Sequence, residues 1–506
     1  MIDPRTPVIV GVGQISDSID GPGYLQLSSV ELAAVAARNA LTDTGAEFAE
    51  VAASIELIAG VRQFEISAPV PAPLGRSDNY PRSVARRLGV DPAHAVLEVV
   101  GGQGPQHLVT EYAAAIAAGA LESVLITGSD AISTERHFAG RADRPDFTEH
   151  APGQLEDRGF GYESFIDSNQ VRHSVMGAPP QYALLENARR ARLGASPAEY
   201  RRQMAELFAP FTAVAAKTPL AASPVVRSAE ELATVTESNR MICDPYPRLL
   251  VARDLVNMGA AAVVMSVAAA RRLGVPPEKW VYLRGHADLV ERSLLEREDL
   301  GAAPTAAMAA REALRVANIG LDDIATFDLY SCFPVPVFNF CAGTGLATDD
   351  PRGLTVTGGL PFFGGPGNNY SMHAIAETVG RMRDNPGAFG LVGANGGIMS
   401  KYSVGVYSTE PADWVPDTSA QLQSAVDAAP GVAFRSHAAG PARIETYTVR
   451  RAFEPGIGVL VGRLHADGSR FLATIPADEL DAVDDPIGHE ITVSASDEKN
   501  TAALAS

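Results

Sequence analysis

Few side chains in this sequence of 506 residues could do covalent chemistry, and the segment best placed to hold one carries none. Residues 96–110 read VLEVVGGQGPQHLVT, an apolar run that stops at two glycines and restarts as a helix. A strand, a glycine turn and a helix N-terminus commonly seat a nucleophile or a phosphate, because the first N–H groups of a helix lack partners inside it. Gly101, Gly102, Gln103 and Gly104 bring no thiol, hydroxyl or imidazole to that seat. The turn can present amide donors, and nothing in it can attack. GVGQIS at 11–16 imitates a dinucleotide turn without its third glycine, so nicotinamide binding is not expected. Cys243, Cys332 and Cys341 are too few and too scattered for a disulfide framework, which points to a reducing, cytoplasmic compartment. No metal site and no bound cofactor are expected.

The elements that must position this turn read as α/β. Short Val/Ile-rich runs at 7–12, 124–127 and 324–329 alternate with alanine-rich helical stretches, the pattern of buried strands between helices. Ser-x-x-Glu boxes at Ser28/Glu31, Ser196/Glu199 and Ser228/Glu231 mark helix starts. AAVAARNAL at 33–41 nearly repeats as AAMAAREAL at 306–314, and GGQG at 101–104 has a counterpart in GGPG at 364–367. Two halves built on one plan follow from this order. The first half is placed at 1–134 with 225–270 and the second at 271–409. Residues 135–224 form an excursion with its own helices at 181–193 and 197–208, the kind of insertion that covers a binding site. Beyond a polar linker, 421–506 is β-rich, with Asp467-Gly468 where a tight hairpin turn belongs.

The 41 basic and 60 acidic residues give a net charge of −19, which repels nucleic acid and anionic lipid. Residues 421–506 carry 7 basic against 12 acidic residues and few aromatics, so this β-domain is not expected to bind single strands. MIDPRTPVIVGVGQ fails as a signal peptide, and the uncharged run 255–270 is too short for a membrane span.

PVIVGVGQ near the start, ELAAVAARNALTDTG, AAAIAAGALESVLITGSDAIST, NMGAAAVVMS and IGLDDIATFDLYSCF, in this order, resemble the thiolase superfamily. The matching branch holds sterol-carrier-protein thiolases and bacterial thiolase-like proteins. The resemblance implies a thiolase fold: two duplicated halves, each with a five-stranded sheet, making five α-β-α-β-α layers, plus a loop domain that covers coenzyme A. ARIETYTVRRAFEPGIGVLVGRLHADGSRFLATIPAD resembles the small OB-like barrels that accompany some thiolases, so an antiparallel barrel is expected at the C-terminus. Family members assemble through the sheet edge near the nucleophile turn, which implies a dimer, with a monomer as the alternative.

The family's reaction is Claisen condensation of acyl-CoA or its reverse. A cysteine at a helix N-terminus takes the acyl group, a second cysteine moves the α-proton, and His or Asn groups stabilise oxyanions. Carried over residue by residue, the nucleophile position falls on Gly101, the first residue of NEAF or HDCF on Tyr330 of YSCF, the GHP histidine on Gly365, and the acid/base cysteine on or beside Gly393. Cys332 and the histidines His107 and His373 read as packing residues. The resemblance therefore implies an acyl-CoA-binding protein of lipid metabolism without ordinary thiolase activity, with Gly102, Tyr330, Gly367 and Asn395 as substrate-binding candidates. Two alternatives stand beside it: an active enzyme of the acetyl-CoA acetyltransferase class using Tyr330 or Cys332, and a non-enzymatic scaffold.

Overall fold

The computed structural model describes residues 2–68, 72–162, 166–452 and 455–505. The first half contributes β1 (Pro7–Ser16), β2 (Leu57–Gly60), β3 (His94–Leu97) and β4 (Ser123–Ala131), and the excursion adds β5 (Glu156–Asp157). A small hairpin, β6 (Met241–Cys243) and β7 (Tyr246–Pro247), precedes β8 (Asn257–Ser266), the fifth strand of the first half. The second half contributes β9 (Val281–Val290), β10 (Ile324–Leu329), β11 (Phe389–Gly396) and β12 (Lys401–Ser408). Apart from the hairpin these strands join in the order β10-β11-β12-β9-β1-β8-β4-β2-β3-β5. Among the described residues the strands of the two halves pair only through Val8 opposite Tyr282 and Ile9 opposite Val281.

The repeated helices earn their alanines by close approach to glycines. A Cβ on Gly11 of β1 would lie within 3.0 Å of Ala40 O on helix Ser29–Asp43, and one on Gly285 of β9 would do the same against Ala313 O on helix Pro304–Ala317. GVG in β1 is thus a helix-packing feature, as its missing third glycine suggests. The two helices that follow the twin turns, Gly104–Ala117 and Tyr370–Asp384, pack on each other and against strands of both halves, forming the middle of five layers. The uncharged run 255–270 contains β8, whose ten residues are all buried. All three expected capping boxes form, at Ser28, Ser196 and Ser228.

Two details depart from expectation. The first half has its five strands, whereas the second ladders only four among the described residues. Beyond β10, residues 354–357 are held by Leu329 N–H to Leu354 O at 3.0 Å and by the Asp328 carboxylate, which accepts from Val356 N–H at 3.0 Å and Thr357 N–H at 3.2 Å. A side chain here does the work of a ladder. At the other end β5 adds to the sheet, pairing parallel with Val96 and Leu97 of β3. It occupies the edge near the glycine turn.

The barrel is formed by β13 (Gly440–Val449), β14 (Ile457–Leu464), β15 (Arg470–Pro476), β16 (Glu490–Ala495) and β17 (Asn500–Leu504), closed in the order β13-β14-β15-β17-β16. Only the contact of β15 with β17 is parallel. Ile444, Leu460, Phe471, Ile475, Ile491 and Val493 fill its interior. Asp467-Gly468 lies in a loop over 465–469 and not in a two-residue turn, because β14 ends at Leu464 and β15 starts at Arg470. The barrel is docked on the rest of the chain. Arg470, with no exposed surface, donates to Leu295 O at 2.8 Å and Arg297 O, and helix Ala178–Arg192 of the excursion meets β13 through Asn187 Nδ2 to Tyr447 O at 2.9 Å. Buried Arg190 pairs with Asp485 at 2.7 Å. No helix among the described residues is long and apolar enough to cross a membrane.

Candidate functional site

The twin glycine turns grip each other at the N-termini of the two central helices. Gly101 N–H donates to Asn368 Oδ1 at 3.0 Å, and the Ser371 hydroxyl donates to Gly102 O at 2.5 Å. Asn368 Nδ2 in turn donates to Arg62 O at 2.7 Å, and Asn369 Nδ2 to Gly128 O at 2.7 Å. The Gly101 N–H is thereby taken by the protein itself, and the N–H of the candidate binding residue Gly367 is taken by Gly365 O at 2.8 Å. Gly101 has φ +147° and Gly367 φ +52°, positive values that glycine adopts without strain.

The space that reactive side chains would share is filled. A Cβ on Gly101 or on Gly396 would fall within 3.0 Å of the same atom, Gln103 Oε1. A Cβ on Gly102 would strike the phenol of Tyr330. Gly396, rather than Gly393, therefore faces Gly101 across Gln103. The missing side chain of Gly393 points at Leu329 and Phe340, 3.1 and 3.3 Å away, and that of Gly365 at Leu360 and Arg253 O, 3.3 and 3.5 Å away. Beside Tyr330 and Asn395 the cavity measures about 20 Å³, bounded also by Pro336, Phe340, Gly393 and Tyr402. That is room for about one water. Asn395 does not reach into it as a donor: its Nδ2 donates to Tyr182 Oη at 3.2 Å, and the Tyr182 ring stacks on Phe333 at 4.5 Å. Gly367 is pressed instead against the buried carboxylate of Asp130, whose Oδ2 has no hydrogen-bond partner among the described residues.

The groups with potential reactivity are held inert. Burial pushes the Cys332 thiol up to about 12, and does the same for Cys243 and Cys341, so none presents a thiolate near neutral pH. Burial also holds the Tyr330 phenol well above its ordinary range. His373 is buried neutral, with burial pushing it down to about 3 and Nδ1 at 2.7 Å from Gln14 Oε1. Burial opposes the charge on His107, but Asp288 at 3.2 Å, helped by Glu98 and Glu111, outweighs it and raises the ring to about 9. Glu98, His107 and Glu111 stand close enough to suggest a metal, but the Arg158 guanidinium bridges Glu98 and Glu111 at 2.7 and 2.6 Å and is the cation of that cluster.

At the outer side of the 360–367 loop lies a feature that the scattered sequence positions conceal. Arg227, Arg240, Arg248 and Arg253 gather there, and among the described residues none makes an ion pair with a carboxylate. The Arg248 guanidinium is depressed below its usual range by partial burial and then by Arg253, Arg240 and Arg227. Backbone pairing ties Arg253 to the loop, with Arg253 N–H donating to Leu360 O at 3.1 Å and Gly365 N–H to Arg253 O at 2.8 Å, and ties Arg248 to Arg240 through Arg248 N–H to Arg240 O at 3.0 Å. Val225 and Val226, 47% and 65% exposed, flank it. In a chain of charge −19 this is a local basic patch. The linear sequence does not show it, because its members stand well apart in the chain at 227, 240, 248 and 253.

Comparison with known proteins agrees with this geometry. A family model described as the thiolase-like protein type 1 additional C-terminal domain matches residues 421–499. Comparison with curated proteins gives no match. Among solved structures, the dimeric peroxisomal thiolase of Saccharomyces cerevisiae is 15% identical over 81% of this chain and 99% of its own, with a TM-score of 0.59. The acetyl-CoA acetyltransferase from Syntrophomonas wolfei is 14% identical over 80% and 99%, with a TM-score of 0.57. At those identities the likeness establishes the thiolase fold alone. A monomeric SCP2-thiolase-like protein type 1 from Mycobacterium smegmatis is 58% identical over the whole of both chains, with a TM-score of 0.87. With a thiolase fold, an appended barrel and a glycine where the nucleophile would stand, the chain belongs to the family of SCP2-thiolase-like proteins type 1.

Proposed function

We propose that the protein binds an acyl-CoA thioester without turning it over, as a monomeric, cytoplasmic component of lipid metabolism. The observation that carries this reading is the arginine cluster: among the described residues Arg227, Arg240, Arg248 and Arg253 form no ion pair with a carboxylate, and Arg253 is backbone-bonded to the 360–367 loop that leads to the emptied turn. Coenzyme A carries phosphates at one end and the acyl thioester at the other, so the cluster suits the first, and exposed Val225 and Val226 suit the apolar parts. Tyr330 keeps the thioester short of Gly102 and Gln103 keeps it short of Gly101, and beside Tyr330 and Asn395 only about 20 Å³ remains. Catalysis through Cys332 is disfavoured by its protonated, buried thiol. The β3 edge, closed by the chain's own β5, supports the monomer.

Calorimetric titration with acetyl-CoA and with long-chain acyl-CoA tests the reading. Saturable heat is expected, weakened roughly tenfold or more by Arg248→Glu, since a charge-assisted contact contributes about 1.5–3 kcal/mol. Thiolysis of acetoacetyl-CoA is expected to stay at background. No heat and no thermal shift across the series would leave the scaffold role in its place. Sedimentation velocity should show one species near 53.1 kDa.

A further inference from the structure

The excursion and the barrel share one contact that depends on the state of a single ring. His173 follows helix Ser168–Arg172 and is 1% exposed. Its Nδ1 lies 2.7 Å from Asn169 O, so that nitrogen carries the hydrogen and donates. Its Nε2 lies 2.9 Å from the backbone N of Asn500, the first residue of β17, so that nitrogen accepts. Only the neutral ring with its hydrogen on Nδ1 makes both bonds. Asn500 is a knot of the barrel: fully buried, it accepts Ala438 N–H on Oδ1 at 3.0 Å and donates from Nδ2 to Leu472 O at 2.9 Å and Ser436 O at 3.0 Å. A proton added to Nε2 would face the Asn500 N–H, two donors head to head in a buried place.

We propose that His173 is a proton-operated latch, closing the excursion on the barrel when neutral and releasing Asn500 when protonated. The charges facing the ring are few. Asp167 and Arg172 come from its own helix and Lys499 from the turn before β17, while Arg450, at the end of β13, donates to Ser174 O at 2.9 Å. Burial, aided by Arg172 and Lys499, outweighs the Asn169 carbonyl and Asp167, which both favour the charged ring, and holds the ring below its ordinary value. A depressed folded-state value means that the latch contributes fully above about pH 6.5, the unfolded value, and is lost as pH falls through the folded one. Helix Ala178–Arg192 begins a few residues beyond the latch and spans from the barrel, at Asn187, to the site, at Tyr182. Opening the latch would therefore loosen the roof over the emptied turn. This inference does not depend on acyl-CoA binding.

Hydrogen exchange on the full-length chain between pH 5 and 8, corrected for intrinsic rates, reads the latch in peptides spanning 496–505. Wild-type protection is expected to fall by up to about tenfold per pH unit once the ring titrates, as one linked proton requires. His173→Gln should keep protection with a flat profile, because its amide oxygen can accept the Asn500 N–H and does not titrate. His173→Lys should lack protection at every pH. Identical profiles for wild type and His173→Gln, or full protection in His173→Lys, would overturn the proposal. Should the variants fail to fold, ¹⁵N spectra of the wild-type imidazole decide: the Nδ1–H tautomer at pH 7.5 is expected, and an Nε2–H tautomer or an imidazolium there would overturn it.

Discussion

Restoring a cysteine at Gly101 should damage the protein before it could help any chemistry. Gly101 has φ +147°, and a side chain there carries backbone strain of about 1–3 kcal/mol. Its Cβ would also come within 3.0 Å of Gln103 Oε1, so the buried Gln103 amide must swing away and lose its place against Gly396. Displacing a packed side chain adds about 1–3 kcal/mol, for a total of about 2–6 kcal/mol. Gly101→Cys should therefore melt several degrees below wild type in a thermal shift assay. Gly101→Cys with Gln103→Ala should recover only the packing part, because the strain at φ +147° remains. Neither variant should cleave acetoacetyl-CoA, since Gly365 and the glycines of VGANGG supply neither an imidazole nor a second thiol. A Gly101→Cys protein as stable as wild type, with a thiol alkylated rapidly at pH 7, would refute both the strain and the filling of the site by Gln103.

Tyr330→Ala empties the ring that lies against Gly102. It should destabilise by about 3–5 kcal/mol as an aromatic truncation does, while tightening long-chain acyl-CoA binding in the calorimeter; unchanged or weaker affinity would show that Tyr330 does not limit access. Gly285→Val places a branched side chain against Ala313 O, and the loss should exceed about 4 kcal/mol; a soluble variant with wild-type denaturant midpoint would contradict the close approach of β9 and its helix. His107, raised to about 9 against an unfolded value near 6.5, contributes stability that is complete below about pH 6.5 and lost as pH rises through about 9. Chemical denaturation at pH 6 and 9.5 should show that decline in wild type and a smaller one in His107→Gln. His286 stacks on Trp414 at 4.2 Å and bridges Asp417 Oδ2 at 2.9 Å and Val415 O at 3.1 Å, so His286→Ala should free the linker to the barrel and speed its proteolysis; equal cleavage rates would count against that clasp.

What could be read from the chain beforehand was local or repeated. The boxes at Ser28, Ser196 and Ser228 each place a donor and its acceptor three residues apart, so spacing alone determines the geometry. The match of AAVAARNAL with AAMAAREAL survived because each helix needs small residues where it meets Gly11 or Gly285, a constraint that acts twice in one chain. What could not be read is the meeting of distant segments. In the run VGANGG nothing in the residue types says which glycine faces Gly101, and only the extent of β11 to Gly396 brings that residue opposite Gln103. Gln103 itself resembles an ordinary polar residue at a helix start, whereas its amide fills the space between Gly101 and Gly396. The arginines 227, 240, 248 and 253 are each unremarkable in sequence, separated by acids such as Glu230, Glu231 and Asp244. Glu230 and Glu231 end in the first turn of a helix capped by Ser228, where Glu231 feels the charge of Arg227 without forming an ion pair, while Asp254, next to Arg253, is drawn off to Arg136 at 3.4 Å. The loss of reactive groups was legible because a missing cysteine is a fact about residue type. The use of the emptied space depends on which side chains fold into it, and that is decided by contacts between Tyr330, Gln103 and Gly396 that span most of the chain.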